Sequence, residues 1–123
     1  MGVATRILGF VNAPSLQQKL IKNCLNEKTD IEAYNKNRIK LYEGLKALGF
    51  ECVEPEGAFY LFMKSPVDDD KEFVNVAKEY NILMVPASSF GVKGYVRIAY
   101  CVAYDTIERS LSQFAKLAQR YNL

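Results

Sequence analysis

The chain has 123 residues, is 50% hydrophobic and 24% charged, and carries a formal net charge of +2 from 16 basic and 14 acidic residues. That is enough for one domain with its own core, and the basic residues are dispersed among acids rather than clustered as on a nucleic-acid surface. The absence of histidine excludes Ser-His and Cys-His nucleophile pairs and removes the commonest zinc ligand, so no metal site is expected.

No apolar run approaches the roughly 18 residues of a membrane-spanning helix. Residues 1–10 lack the basic-then-apolar build of a signal peptide, so a cytoplasmic protein is expected. Cys24, Cys52 and Cys101 are far apart and sit among apolar neighbours. They are expected as small buried hydrophobes in a reducing compartment, not as a disulfide framework.

In chain order, the first predicted helix follows Asn12-Ala13-Pro14, with Asn12 as the cap and Leu16, Leu20, Ile21, Cys24 and Leu25 as its apolar face. The second begins at Thr29-Asp30-Ile31-Glu32, which has capping-box spacing. Its stripe is Tyr34, Arg38, Leu41, Leu45 and Leu48, and Gly49 stops it. Residues 50–53 predict a short edge strand. Residues 58–63, AFYLFM, are apolar on both faces and predict a covered inner strand.

The acids Asp68-Asp69-Asp70 suit the start of a third helix, which turns Phe73, Val76, Ala77 and Tyr80 inward. Residues 82–85 predict a strand ended by Pro86, and residues 95–101, YVRIAYC, predict another. The fourth helix opens on Asp105-Thr106-Ile107-Glu108, again box-like, with the stripe Ile107, Leu111, Phe114, Ala118 and Tyr121. The order implies an α+β (α/β sandwich) domain, with about four helices on a small, mostly antiparallel sheet.

One residue stands apart chemically. By strand alternation Val96, Ile98 and Tyr100 share one face, while Arg97 shares the other with Ala99 and Cys101. Small neighbours leave room for a guanidinium, whose planar fork suits bidentate capture of a carboxylate. From residue chemistry alone, an exposed arginine or one paired with a core acid remains the commoner alternative. Arg38, on a helix stripe, is read as structural, its stem over the core and its head outward. The loop Pro86-Ala87-Ser88-Ser89-Phe90-Gly91-Val92-Lys93-Gly94 precedes the Arg97 strand, as a site-shaping segment or as a plain connection.

Four ordered strings carry a resemblance: Gly57-Ala58-Phe59-Tyr60, Ile82-Leu83-Met84-Val85-Pro86, Phe90-Gly91, and Gly94-Tyr95-Val96-Arg97-Ile98-Ala99-Tyr100. The opening Gly9-Phe10-Val11-Asn12-Ala13-Pro14-Ser15 and the helix around residues 34–48 add to it. Together they resemble the carboxy-terminal domain of the class I/II, aspartate aminotransferase-like, fold-type I pyridoxal-phosphate enzymes, over nearly the whole chain. Where many members have glycine after Val-Pro, this sequence has Ala87.

The resemblance implies that Arg97 grips the α-carboxylate of an amino-acid or 2-oxo-acid substrate and that Phe59 lies near the substrate side chain. It implies pyridoxal 5'-phosphate in a full-length, homo-oligomeric parent, a homodimer. The family's Schiff-base lysine, the aspartate on the pyridine nitrogen and the phosphate cup come mainly from a larger domain. None of the eleven lysines here follows a serine by three, the usual setting of that lysine. Residues 1–123 are therefore expected to be the small domain alone, without catalytic lysine, cofactor-binding residues or bound cofactor, and inactive in isolation. The competing expectation is a free-standing, non-catalytic α/β module that binds a carboxylate ligand or a partner chain. An RNA-binding sheet ranks last, because Phe59, Tyr60 and Phe62 lie in a continuous apolar run.

Overall fold

The computed structural model describes residues 2–7, 9 and 13–123. They fall into two compact units, Met1–Asp30 and Ile31–Leu123.

The first unit holds α1 (Gly2–Ile7), which the sequence did not signal, and α2 (Ser15–Asn23). Pro14 precedes α2 with φ −56°, and no side chain caps the helix. Asn12, the expected cap, lies outside the described residues. α2 ends at Asn23, so Cys24 and Leu25 of the expected apolar face lie beyond it, and Leu16, Leu20, Ile21 and Leu25 are all exposed.

The second unit holds α3 (Ile31–Ala47), β1 (Tyr60–Lys64), α4 (Asp70–Lys78), β2 (Val85–Pro86), a 3-10 turn (Ala87–Phe90), β3 (Tyr95–Ala99) and α5 (Tyr104–Arg120). The sheet order is β1-β3-β2, antiparallel throughout. This is the expected α+β arrangement, with five helices among the described residues rather than about four.

One face of the sheet is core and the other is not. Leu61, Met63, Val96 and Ile98 are buried. They join Leu41 and Leu45 of α3, Phe73 and Ala77 of α4, and Ile107, Phe114 and Leu117 of α5 in one hydrophobic cluster. The expected inward sets of α4 and α5 belong to this core or pack against it, with Val74 more deeply buried than expected. Asp69 caps α4, its Oδ1 accepting the Lys71 and Glu72 N–H groups at 2.9 and 3.2 Å. Gly49, at φ 91°, ends the turn after α3, its N–H donating to the Lys46 carbonyl at 3.0 Å.

Several local expectations are corrected. Residues 58–63 are not a covered inner strand. Pairing begins at Tyr60, and Tyr60 and Phe62 lie on the open face. A continuous apolar run does not distinguish two buried faces from one buried face and one lined with partly exposed rings. The 50–53 edge is a single bridge, Cys52 to Met63. Of residues 82–85 only Val85 pairs, and it does so together with Pro86. Proline is tolerated there because β2 is an edge strand.

The fourth helix starts at Tyr104 after Ala103, with no side-chain cap, so Asp105 and Glu108 form no capping box. The cysteines are not buried as expected. Cys24 and Cys101 are exposed and Cys52 is intermediate, and all three are free.

One core group was missed. Asn37 is buried on α3, and its Nδ2 donates to the carbonyls of Tyr100 (3.0 Å) and Val102 (2.7 Å). These are the carbonyls of the segment that leaves β3, where strand pairing has ended. Replacing Asn37 with alanine strands both acceptors, at a cost of about 1–3 kcal/mol. The expected outcome of Asn37→Ala is a lower urea midpoint with an unchanged m-value.

Candidate functional site

The site is built on the open face of the sheet. Antiparallel register sets Arg97 opposite Phe62 of β1 and Val85 of β2, and Tyr60 opposite Ala99. Directly opposed residues project to the same side, so Tyr60, Phe62, Lys64, Val85, Tyr95, Arg97 and Ala99 share this face. Its alternation matches the reading of β3: Val96, Ile98 and Tyr100 are buried, Arg97 is half-buried and Ala99 is exposed.

The Arg97 guanidinium carbon lies 4.2 Å from the Tyr60 ring centroid and 4.4 Å from that of Phe90. Such contacts are cation–π interactions, which hold the guanidinium plane without using its N–H donors. Among the described residues no carboxylate forms an ion pair with Arg97. Phe90 comes from the 3-10 turn, so the loop before β3 does shape the surroundings of Arg97. Ala87 opens that turn fully buried and does not have a positive φ, so glycine is not required there.

Beside these rings is a cavity of about 500 Å³ lined by Val53, Pro55, Tyr60, Phe62, Val92 and Tyr95. No lysine lines it. Lys64, on the same face, pairs with Glu51 at 2.9 Å, and that hydrogen bond and charge push its pKa up. Lys93 lines a separate cleft with Asp68, Asp69, Asp70, Lys71 and Ser88.

Phe59 is presented by a constrained turn. Ala58 sits at φ 64°, in the left-handed region that non-glycine residues occupy at a cost. Tyr100 brackets it: its N–H donates to the Phe59 carbonyl at 2.9 Å and its phenol to the Gly57 carbonyl at 3.0 Å. Burial raises the Tyr100 phenol pKa. The Phe59 ring packs edge-on against Tyr34 of α3, with centroids 5.5 Å apart.

Arg38 is structural, as expected, but its head does not point outward. Nε and Nη2 donate to Asn35 Oδ1 and Nη1 donates to the carbonyl of buried Pro55, which ties α3 to the segment before β1. Sequence reasoning also missed Tyr60 and Phe90. The available signal was period-two alternation, which already put Tyr60 and Phe62 on one face of their strand.

Among the described residues there is no group of His, Cys, Asp and Glu able to hold a metal, and no helix is long and apolar enough to cross a membrane. Residues 4–114 match the family described as Aminotransferase class I and II. An amino transferase from Eubacterium rectale superposes with a TM-score of 0.89 at 48% identity, over 98% of this chain and 30% of that one. The aspartate/prephenate aminotransferase of Thermus thermophilus is 38% identical over 93 residues, which are 72% of this chain and 24% of the relative. The aromatic-amino-acid aminotransferase 2 of Thermococcus litoralis is 35% identical over 95 residues, again 24% of its length. The chain thus spans about a quarter of these curated relatives.

Cys52 precedes Val53 of the cavity wall and packs against the core, and burial raises its pKa to about 11 from 9.0, against an opposing pull from Lys46. The raised pKa makes the thiolate, the reactive form, scarcer at neutral pH, and the greater nucleophilicity of a more basic thiolate offsets only part of that loss. In timed alkylation resolved by peptide mass, Cys52 is expected to be modified roughly tenfold more slowly than a thiol of ordinary pKa, and after exposed Cys24 and Cys101.

Proposed function

Because this chain belongs to the class I and II aminotransferase family, we propose that residues 1–123 are the carboxy-terminal small domain of a pyridoxal-phosphate-dependent aminotransferase. Its parent moves an amino group between an amino acid and a 2-oxo acid. Arg97 supplies the grip on the substrate α-carboxylate, and Phe59 lines the substrate side-chain region.

The observation that carries this reading is the state of Arg97. It is half-buried at the centre of the sheet's open face, held against two rings, and without a carboxylate partner among the described residues. An arginine there with its charge uncompensated is suited to an anionic ligand, and its fork matches a carboxylate bidentately. The rings fix the plane of the fork, so less rotamer entropy is lost when ligand binds. Exposed apolar residues on the same unit, including Val53, Phe59, Phe90 and Val92, fit a surface that meets a larger cofactor-binding domain.

On this reading the cofactor site lies in the larger domain. A lysine that links pyridoxal phosphate needs a lowered pKa beside the substrate. No lysine lines the cavity next to Arg97, and Lys64 is shifted the opposite way. The part assigned to this chain is therefore substrate binding and orientation, with the cofactor held by the larger domain of a cytoplasmic homo-oligomer. Family membership weighs against the free-standing module. It also weighs against the RNA-binding sheet, although the open face does carry the rings and bases that reading requires.

In the full-length enzyme Arg97→Lys loses the bidentate geometry and is expected to cost about 2 kcal/mol, roughly 30-fold in kcat/KM. Wild-type kinetics for that variant would remove Arg97 from the carboxylate role. The chain by itself, titrated with pyridoxal phosphate, is expected to give no saturable, stoichiometric change in visible absorbance. It is also expected to show no turnover with an amino acid and 2-oxoglutarate.

A further inference from the structure

The acidic run Asp68-Asp69-Asp70 does two separate jobs. Asp69 caps α4 through Lys71 and Glu72, so Asp70 is not needed for that. Asp70 is instead buried, 4% exposed, and its Oδ2 accepts the Ser88 N–H across 18 residues of sequence at 2.7 Å. This is the short distance of a charge-assisted bond. Among the described residues Asp70 forms no ion pair. Its charge sits at the first turn of α4, where the helix dipole favours it.

Ser88 lies inside the 3-10 turn that ends in Phe90. Gly91, at φ 85°, then closes the turn, with its N–H on the Ser88 carbonyl and the Val92 N–H on that of Ala87. Those two bonds are internal to the loop. Among the described residues the Asp70 carboxylate is the hydrogen-bonded tie between this turn and α4. The turn in turn carries Phe90, which lies over the guanidinium of Arg97.

We propose that Asp70 is a positioning residue for Arg97: by holding the Ser88 N–H it fixes the 3-10 turn so that the Phe90 ring stays against the guanidinium and sets the plane of its fork. This rests on the reading of Arg97 as the carboxylate-binding group, but its test needs no ligand. The fate of one reading therefore does not decide the other. The Ser88 hydroxyl is buried without a partner, which makes Ser88→Ala a control that keeps the N–H donor.

The experiment is NMR on the 123-residue chain, reading nuclear Overhauser contacts between the Phe90 ring and the Arg97 side chain and the exchange rate of the Arg97 Nε–H. In Asp70→Ala, and in Asp70→Ser, whose short side chain suits a helix start but does not reach the turn, the contacts are expected to vanish. Nε–H exchange is expected to rise at least about tenfold while amides of the core strands keep their protection. Asp70→Asn, which retains an acceptor oxygen, and Ser88→Ala are expected to keep both signals. Should the alanine variant not fold, the serine variant carries the test. Wild-type contacts and exchange in a folded Asp70→Ala or Asp70→Ser chain, or equal loss in Asp70→Asn, would overturn the proposal.

Discussion

β3 lies between two partners, and its alternation places every group that matters. Val96 and Ile98 sit in the core, while Arg97 faces the other way with Phe62 and Val85 at its sides. A slip of one residue would turn the arginine into the core and two apolar side chains into the open, so register is strongly held. The burial of Val96, Ile98, Leu61 and Met63 therefore does more than stabilise the sheet. It forces a permanently charged group onto the surface that a carboxylate can reach.

Around that strand the structure uses backbone acceptors to hold the loops. Asn37 takes the carbonyls of Tyr100 and Val102, Tyr100 takes those of Gly57 and Phe59, and Arg38 takes that of Pro55. The Asn37 and Arg38 bonds join α3 to irregular segments, and the Tyr100 bonds join the segment after β3 to the turn before β1. Together they support the left-handed Ala58 turn and the presentation of Phe59, at positions where sheet and helix hydrogen bonds are not available. A rigid scaffold that carries site groups on tethered loops is a common division of labour in enzymes.

The helical stripes, the acidic start of α4, the Gly49 stop and the face of Arg97 were legible because each depends on local periodicity or on one residue's backbone chemistry. The four motif strings resembled the family in an order that the fold then realised as neighbouring strands and loops. What was misread depended on covering. AFYLFM resembles a buried strand because hydropathy does not register whether a ring packs on a core or on an arginine. Cys24 and Cys101 resembled core residues because their sequence neighbours are apolar while their own positions face out.

The sequence by itself determined the approximate places of α2 to α5, β1 and β3, which face of β3 carries Arg97, and which family's motifs the chain bears. These follow from spacing along the chain, which needs no knowledge of distant residues. Tertiary structure alone decided that Asp70 ties down the turn bearing Phe90, that Tyr60 and Phe90 meet over one guanidinium, and that Asn37 satisfies carbonyls more than 60 residues away. Apart from the Phe90–Arg97 contact, each of these joins residues separated by 18 to 65 positions. Only the folded path brings such groups within reach, because a hydrogen bond or a ring contact acts over a few ångströms of space and takes no account of distance along the chain.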